Sequence, residues 1–256
     1  MNAVVLYFSG TGNTQFVAEL LAANLGIECF SIEDKTSASA ALTLAKTVCI
    51  CYPIYGSRVP RLMREFALQH AATLEGKKLV ILCTQMVFSG DGARAFTYLF
   101  PPKHFQVIYA EHIVMPNNVN NLFLTPLASE ASQTKIVAKA RLKVQRICDD
   151  ITKGIVRLRG YNNGSRLLGL MQGVFFPSLE NYGLNRVWID DDCNNCLACV
   201  SKCPVGNLEY DSDADKVAAK GNCMFCYRCI NQCPQKAIRV YLRSKVKSQY
   251  RGIEAR

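Results

Sequence analysis

The chain reads as two folds in succession. The first is an α/β domain with a doubly wound, five-stranded parallel sheet; the second is a small α+β domain built around cysteine. Three observations carry this. Short apolar runs at 3–8, 27–32, 48–52, 78–84 and 105–114 alternate with segments of helical spacing, which implies parallel strands joined by crossover helices. Eight of the 13 cysteines fall between Cys193 and Cys233. That stretch is an internal repeat, in which C-x2-C-x2-C-x3-C-P occurs twice, thirty residues apart.

Ala3 to Phe8 is a continuous apolar run, as expected of a strand buried on both faces. It leads directly into Ser9-Gly10-Thr11-Gly12-Asn13-Thr14, after which Phe16, Val17, Leu20, Leu21 and Leu25 recur at helical spacing. Glycines let successive N–H groups face one point. The helix N-terminus adds partial positive charge, and the hydroxyls donate as well, so the loop is a phosphate cradle. No Lys follows the last Gly, so it is not a P-loop, and it lacks the G-x-G-x-x-G dinucleotide pattern. The competing reading is an ordinary turn with Asn13 or Thr14 capping the helix.

The strand-and-helix pattern then repeats. The third run ends in Pro53-Ile54-Tyr55-Gly56, and a helix is expected from about Pro60. The fourth run ends at Thr84 and is followed by Gln85-Met86-Val87-Phe88-Ser89-Gly90-Asp91-Gly92 and another helix. Met115-Pro116-Asn117-Asn118 to Phe123 is a polar irregular loop. A long helix is expected from near Pro126 toward Arg159. Ligands of such sheets bind outside the carboxyl ends of the strands, where strand order reverses. The loops after strands one, three and four are therefore the candidate site.

In the second half, the thiolate spacing suits a soft metal. Structural zinc takes pairs of C-x2-C separated by a longer loop. A doubled three-plus-one spacing followed by Pro is not that pattern. A disulfide framework needs an oxidising compartment, and no export signal is visible. The spacing is that of bacterial 4Fe–4S proteins, in which the fourth Cys reaches the other cluster.

The stretch thus resembles a two-cluster bacterial ferredoxin. By that resemblance Cys193, Cys196, Cys199 and Cys233 hold one 4Fe–4S cluster, and Cys223, Cys226, Cys229 and Cys203 hold the other. S-G-T-G-N-T looks like the loop with which flavodoxins bind the phosphate of FMN through neutral donors. The same resemblance implies that Pro53, Ile54, Tyr55 and Gly56 border one side of the flavin ring, with Tyr55 stacking. Thr84, Gln85, Phe88, Ser89, Gly90 and Asp91 would border the other. Unlike short-chain flavodoxins, this third loop lacks an aromatic-acidic pattern. Together the halves resemble the flavodoxin–ferredoxin fusion proteins of anaerobes.

The expected organisation is a flavodoxin-like domain at 1–159, a joint at 160–185, a ferredoxin domain at 186–242 and a basic tail at 243–256. The joint is rich in Gly and Asn yet carries Leu167, Leu168, Leu170, Met171, Val174, Phe175 and Phe176, so it is expected to pack against a domain or a partner. After each C-P an apolar residue, Leu208 or Ile238, leads into a short strand, giving the β-α-β-β-α-β order of small ferredoxins. Phe225 and Tyr227, between ligands, are read as shields of a cluster or as core.

Lys+Arg 30 against Asp+Glu 20 gives +10, a balance suited to an acidic partner, nucleic acid or a membrane surface. The tail from Gln235 carries seven basic residues, the last being Arg256, and one acid, Glu254. No nucleic-acid-reading motif is present, and no apolar run is long enough to span a bilayer. The remaining cysteines, Cys29, Cys49, Cys51, Cys83 and Cys148, read as small buried hydrophobes, and a reducing cytoplasm is expected. His70, His104 and His112 are isolated and read as structural. The expected function is electron relay between FMN, two 4Fe–4S clusters and a redox partner protein. The alternative is an FMN-dependent reductase of a small organic acceptor, fed by the clusters.

Overall fold

The computed structural model describes residues 2–121 and 127–253. Phe123, Pro126, Glu254 and Arg256, named above, lie outside the described residues. In the first half, β1 (Ala3–Tyr7), α1 (Asn13–Leu25), β2 (Glu28–Ser31), α2 (Lys35–Leu44), β3 (Thr47–Pro53), α3 (Arg61–Gln69), α4 (Ala71–Leu74), β4 (Lys78–Gln85) and β5 (Gln106–Val114) follow in order. Next come α5 (Glu130–Thr152) and a two-residue strand, β6 (Arg157–Leu158). The strands form one parallel sheet in the order β2-β1-β3-β4-β5-β6. Order reverses between β1 and β3, which is where a ligand crevice opens.

Both faces of the sheet are covered. Val5, Val17, Leu21, Val80, Leu82 and Val144 pack under α1 and α5. Leu6, Phe8, Leu42, Ile50, Met63 and Phe96 fill the opposite layer. Burial on both faces is why the strands read as unbroken apolar runs rather than alternating ones.

Two local features depart from the sequence reading, and a third forms as expected but without an apolar stripe. The long helix stops at Thr152, because Gly154 turns left-handed at φ 69°, and the chain then extends to pair Arg157 and Leu158 with Tyr109 and Ala110 as an edge strand. The segment after Gly92 is a short 3-10 turn (Ala95–Leu99), since Pro101 and Pro102 leave no room for a longer helix. The helix α2 lies in a Ser/Thr-rich stretch whose buried residues are only Ala38 and Leu42. It forms because Asp34 accepts a hydrogen bond from the Ser37 N–H at 3.2 Å.

The joint forms two helices, α6 (Asn163–Gly173) and α7 (Phe176–Gly183). The second half then runs β7 (Val187–Ile189), α8 (Ala198–Ser201), β8 (Leu208–Asp211), β9 (Lys216–Ala219), α9 (Arg228–Gln232) and β10 (Ile238–Val240). Here β7 pairs with β10 and β8 with β9, both antiparallel. The repeat extends to backbone conformation. Asn195 and Leu197 are left-handed, as are Phe225 and Tyr227 thirty residues on, and Gly206 is matched by Lys236.

The described part of the basic tail folds back. Val246 and Tyr250 are buried, and Gln249 donates to the Ile230 and Cys233 carbonyls. The Tyr250 hydroxyl donates to Asn13 Oδ1 across the joint.

Candidate flavin and iron–sulfur sites

The loop after β1 is tied in place on three sides. The Gly12 N–H donates to Ser9 Oγ at 3.1 Å, and Thr14 and Thr84 share a hydroxyl–hydroxyl bond of 2.7 Å. Asn13 Nδ2 donates to the Pro116 carbonyl at 2.8 Å. Gly12, at φ 95°, adopts a conformation that L side chains rarely reach. No side chain caps α1, and its first turn holds no acid, so its leading N–H groups and dipole face an incoming anion. Thr11 Oγ1 accepts from Asn118 Nδ2 at 2.8 Å, which leaves the hydroxyl proton free to donate.

Above the loop lies a cavity of ≈ 370 Å3, within the usual range of ligand pockets. It brings together Ser9, Gly10, Thr11, Asn13 and Thr14 with Pro53, Ile54, Tyr55, Gly56, Thr84 and Gln85. Gly12 faces a separate outer cleft. Phe88, Ser89 and Gly90 line another cavity beside β5 and α6, and Asp91 is buried with the Tyr98 hydroxyl donating to it at 2.6 Å. Ser89 Oγ donates back to Gln85 Oε1, which turns the loop away from the pocket and against α6. In place of those residues the pocket takes Met86, Met115 to Val119, Phe176 and Leu179.

The far wall comes from the cysteine-rich half: Phe225, Tyr227 and Tyr241 line the same cavity. Contact between the halves is close. A methyl group on Gly10 would stand 2.3 Å from the Cys226 carbonyl oxygen, and Met224 and Cys226 are buried within the hydrophobic layer of the first domain. The Tyr55 ring borders the cavity, while its hydroxyl is buried without a hydrogen-bond partner. Burial pushes that hydroxyl's pKa well up, with the nearby Cys226 and Cys223 sulfurs adding to the shift. Arg228, between two cysteines of the repeat, donates to the Ser9 carbonyl at 2.8 Å, to the Gly10 carbonyl at 3.1 Å and to both Glu33 oxygens.

The cysteines fall into two groups. Cys193, Cys196, Cys199 and Cys233 border one small, largely apolar cavity with Ile189, Val217 and Ile238. Burial, and after it the charges of Cys233, Cys193 and Cys196, push the Cys199 thiol up to about 11. The Cys229 thiol is driven up by burial and then by Cys226, Cys223 and Cys203. Such thiols give up their protons readily only to a metal.

Among the described residues, no three His, Cys, Asp or Glu side chains close on a single-ion site. The first four cysteines ring a cavity instead, which fits a cluster, because each thiolate takes a different iron. The N–H groups of Asn207 and Ala237 donate to Cys203 and Cys233 Sγ at 3.2 and 3.3 Å. Hydrogen bonds at equivalent places of the repeat are the kind that tune cluster sulfur.

Comparison with known proteins agrees with this geometry. The flavodoxin domain model matches residues 4–119, and the 4Fe-4S dicluster domain model matches residues 192–238. No curated protein matches the chain. Among solved structures, the flavodoxin of Streptococcus pneumoniae TIGR4 is 17% identical over 60% of this chain and 99% of its own, with a TM-score of 0.43. The WrbA-like flavodoxin from Agrobacterium tumefaciens is 18% identical over 59% and 98%, with a TM-score of 0.40. The two-electron reduced Megasphaera elsdenii flavodoxin is 22% identical over 55% and 98%, with a TM-score of 0.37.

The protein is a redox protein with sites for FMN and two 4Fe–4S clusters. Its flavodoxin domain at 4–119 and 4Fe-4S dicluster domain at 192–238 together match the make-up of a flavodoxin–ferredoxin fusion. The contributions of Met115 to Val119, of Phe176 and Leu179, and of Arg228 were not legible in the sequence. The only local hint was the unusual run of asparagines from Asn117 to Asn121.

Proposed function

We propose that the protein relays electrons between FMN at the pocket over the Ser9–Thr14 loop and the two clusters, and exchanges them with a separate redox partner protein. The observation that carries this is the shared wall. Phe225 and Tyr227 stand between cluster-ligand cysteines and line the flavin pocket, and the Cys226 carbonyl abuts Gly10. When bound, FMN handles one or two electrons and each cluster handles one.

The chain's own residues then have distinct tasks. Ser9, Thr11 and the open N–H groups of α1 hold the phosphate. Tyr55 and Tyr227 exclude water from the passage between the sites. The orphaned Tyr55 hydroxyl is the donor available to sulfur around Cys226 and Cys223, where an unmet buried hydroxyl would otherwise be costly. Cys223, Cys226, Cys229 and Cys203 serve the cluster nearer the flavin. Cys193, Cys196, Cys199 and Cys233 serve the outer one, whose Cys196 is exposed to a partner.

The test is anaerobic purification with iron, sulfide and flavin quantitation, followed by rapid mixing of reductant with the loaded protein. About eight irons and one FMN per chain are expected, with flavin and cluster absorbance changing in linked phases. Flavin and clusters that reduce independently would rule out the relay. Reoxidation by a small organic acceptor at a rate above that with protein partners would favour a reductase instead.

A further inference from the structure

Helix α6 is turned inside out. Its buried residues are glycines, Gly169 and Gly173. A methyl on Gly169 would lie 1.7 Å from Asp91 Oδ1, and one on Gly173 would lie 2.5 Å from Arg58 Nε. At these two positions the helix approaches the domain through its bare backbone, with Gln172 Oε1 accepting from Ser57 Oγ at 2.6 Å between them, and its large apolar side chains turn outward. Leu167, Met171 and Val174, at helical spacing, are 62%, 65% and 60% exposed, and Phe175 is 69% exposed. The ridge continues into α7 through Leu179 and Tyr182, both exposed. Singly exposed apolar residues are ordinary, but a contiguous ridge of this kind marks a surface that something covers.

The border of the ridge identifies the occupant. Between Lys153 and Arg186 the sequence holds five basic residues and one acid, Glu180, and Glu180 is bonded to Arg64 at 2.7 Å. Leu168 borders the same cavity as Arg157 and Arg159, on the edge strand whose Leu158 is also exposed. At the other end Arg186 sits 3.6 Å over the Tyr182 ring, and Arg243 sits 5.1 Å over Trp188. The surface is thus an aliphatic ridge bordered by arginines and amphipathic aromatics, and the acids beside it are already paired: Glu180 with Arg64, Asp150 with Arg157, and Glu111 with Arg159 and Lys143.

We propose that this ridge is a membrane-docking face that lies on an anionic lipid surface, with α6 in the interfacial plane. A protein partner is the weaker fit, because the centre of the ridge offers no hydrogen-bonding side chains, and protein interfaces usually carry them. The face does not cross the bilayer: among the described residues no helix is long and apolar enough to do so. Docking would bring the rim of the flavin pocket, where Leu179 and Met86 are both exposed, to the headgroup level.

The test uses the full chain with its cofactors, in co-sedimentation with vesicles of equal parts phosphatidylglycerol and phosphatidylcholine and with vesicles of phosphatidylcholine alone. Binding is expected to the mixed vesicles and to be on the order of tenfold weaker to the neutral ones, and added salt is expected to weaken it. Leu167→Glu with Met171→Glu should abolish it, and Arg166→Glu, at the exposed arginine of α6 beside Leu167, should weaken it severalfold, with flavin absorbance and melting temperature unchanged. No binding by the unmodified protein would overturn the proposal, as would binding that the α6 variants leave intact. A dimer that the same variants dissociate, or an acidic protein whose capture they abolish, would likewise overturn it. Vesicle binding requires no electron transfer, so failure of the relay and failure of docking are read separately.

Discussion

Arg228→Met tests whether the two cofactor sites are mechanically one unit. Met keeps most of the stem and removes the guanidinium. In the native structure all five N–H donors of that group are engaged. Nε reaches the Gly10 carbonyl at 3.1 Å, and Nη2 reaches the Ser9 carbonyl at 2.8 Å. Nη1 reaches the Lys202 carbonyl at 3.0 Å, and the two ends of the fork meet Glu33 at 2.6 and 2.8 Å.

The side chain of Arg228 is only 16% exposed, but that of Glu33 is 29% exposed, so the ion pair is discounted for solvent screening. With the hydrogen bonds to the two first-domain carbonyls, of Ser9 and Gly10, at about 1 kcal/mol each and a screened bidentate pair contributing about another 1 kcal/mol, the loss between the halves comes to roughly 3 kcal/mol. Since every partner but Lys202 belongs to the first domain, that loss falls on docking of the two halves, more than a hundredfold in the docked ratio. The assay is denaturant unfolding of the wild type, Arg228→Met, Glu33→Gln and the double variant as a cycle, alongside FMN affinity by fluorescence quenching. The cycle should return a coupling of about 1 kcal/mol, and FMN affinity should fall because the Ser9 and Gly10 carbonyls lose their anchor. If Arg228→Met unfolds at the wild-type midpoint and binds FMN within twofold of it, the interlock is refuted.

Four further outcomes follow from the same geometry. Gly10→Ala places a methyl 2.3 Å from the Cys226 carbonyl, so the loops must part by roughly 1 Å at an overpacking cost of about 1–3 kcal/mol; FMN affinity and melting temperature should both drop. Gly12→Ala meets open space but holds φ at 95°; it should cost about 1–2 kcal/mol of backbone strain without disturbing the cysteines, as iron content would report. Cys199→Ser should reduce iron from about eight to about four per chain and leave FMN in place, whereas Cys226→Ser should lose iron and weaken FMN as well. Tyr55→Phe keeps the ring but removes the orphaned hydroxyl, so the midpoint potential of the flavin-proximal cluster should fall in a redox titration while FMN affinity holds; an unchanged potential would show that the hydroxyl is idle.

A last outcome concerns pH. Burial holds the His112 imidazole down at about 4, and its Nε2 accepts from the Ala93 N–H at 3.1 Å. The unfolded ring titrates near 6.5. Because the folded value is the lower one, the stabilisation is fully present above 6.5 and is lost as pH falls toward 4. Between pH 7 and 5 that is about 2 kcal/mol, and His112→Gln should flatten this part of the stability profile in thermal melts.

Much of this protein was written locally. Ser9 to Thr14 reads as a phosphate cradle because Gly and hydroxyl residues between an apolar run and a helical one leave few other conformations for the backbone. The doubled cysteine spacing reads as two clusters because ligand chemistry depends on short-range separation along a loop. The sheet was legible for a similar reason: strands buried on both faces must be unbroken apolar runs. Where local signals competed, the reading blurred. Gly154 ended a helix whose apolar pattern continued, and α2 formed on a cap rather than on a stripe.

What only folding decided is how distant segments meet. Nothing near Phe88 says that Ser89 will fold back on Gln85 and carry that loop to α6. Nothing near Arg228 says that its partners lie more than two hundred residues earlier, at Ser9 and Gly10. The shared wall of flavin pocket and cluster site, and the outward turn of α6 on its glycines, are likewise products of packing. Backbone propensity and ligand spacing act over a few residues, whereas the space available between two packed surfaces depends on every element that builds them.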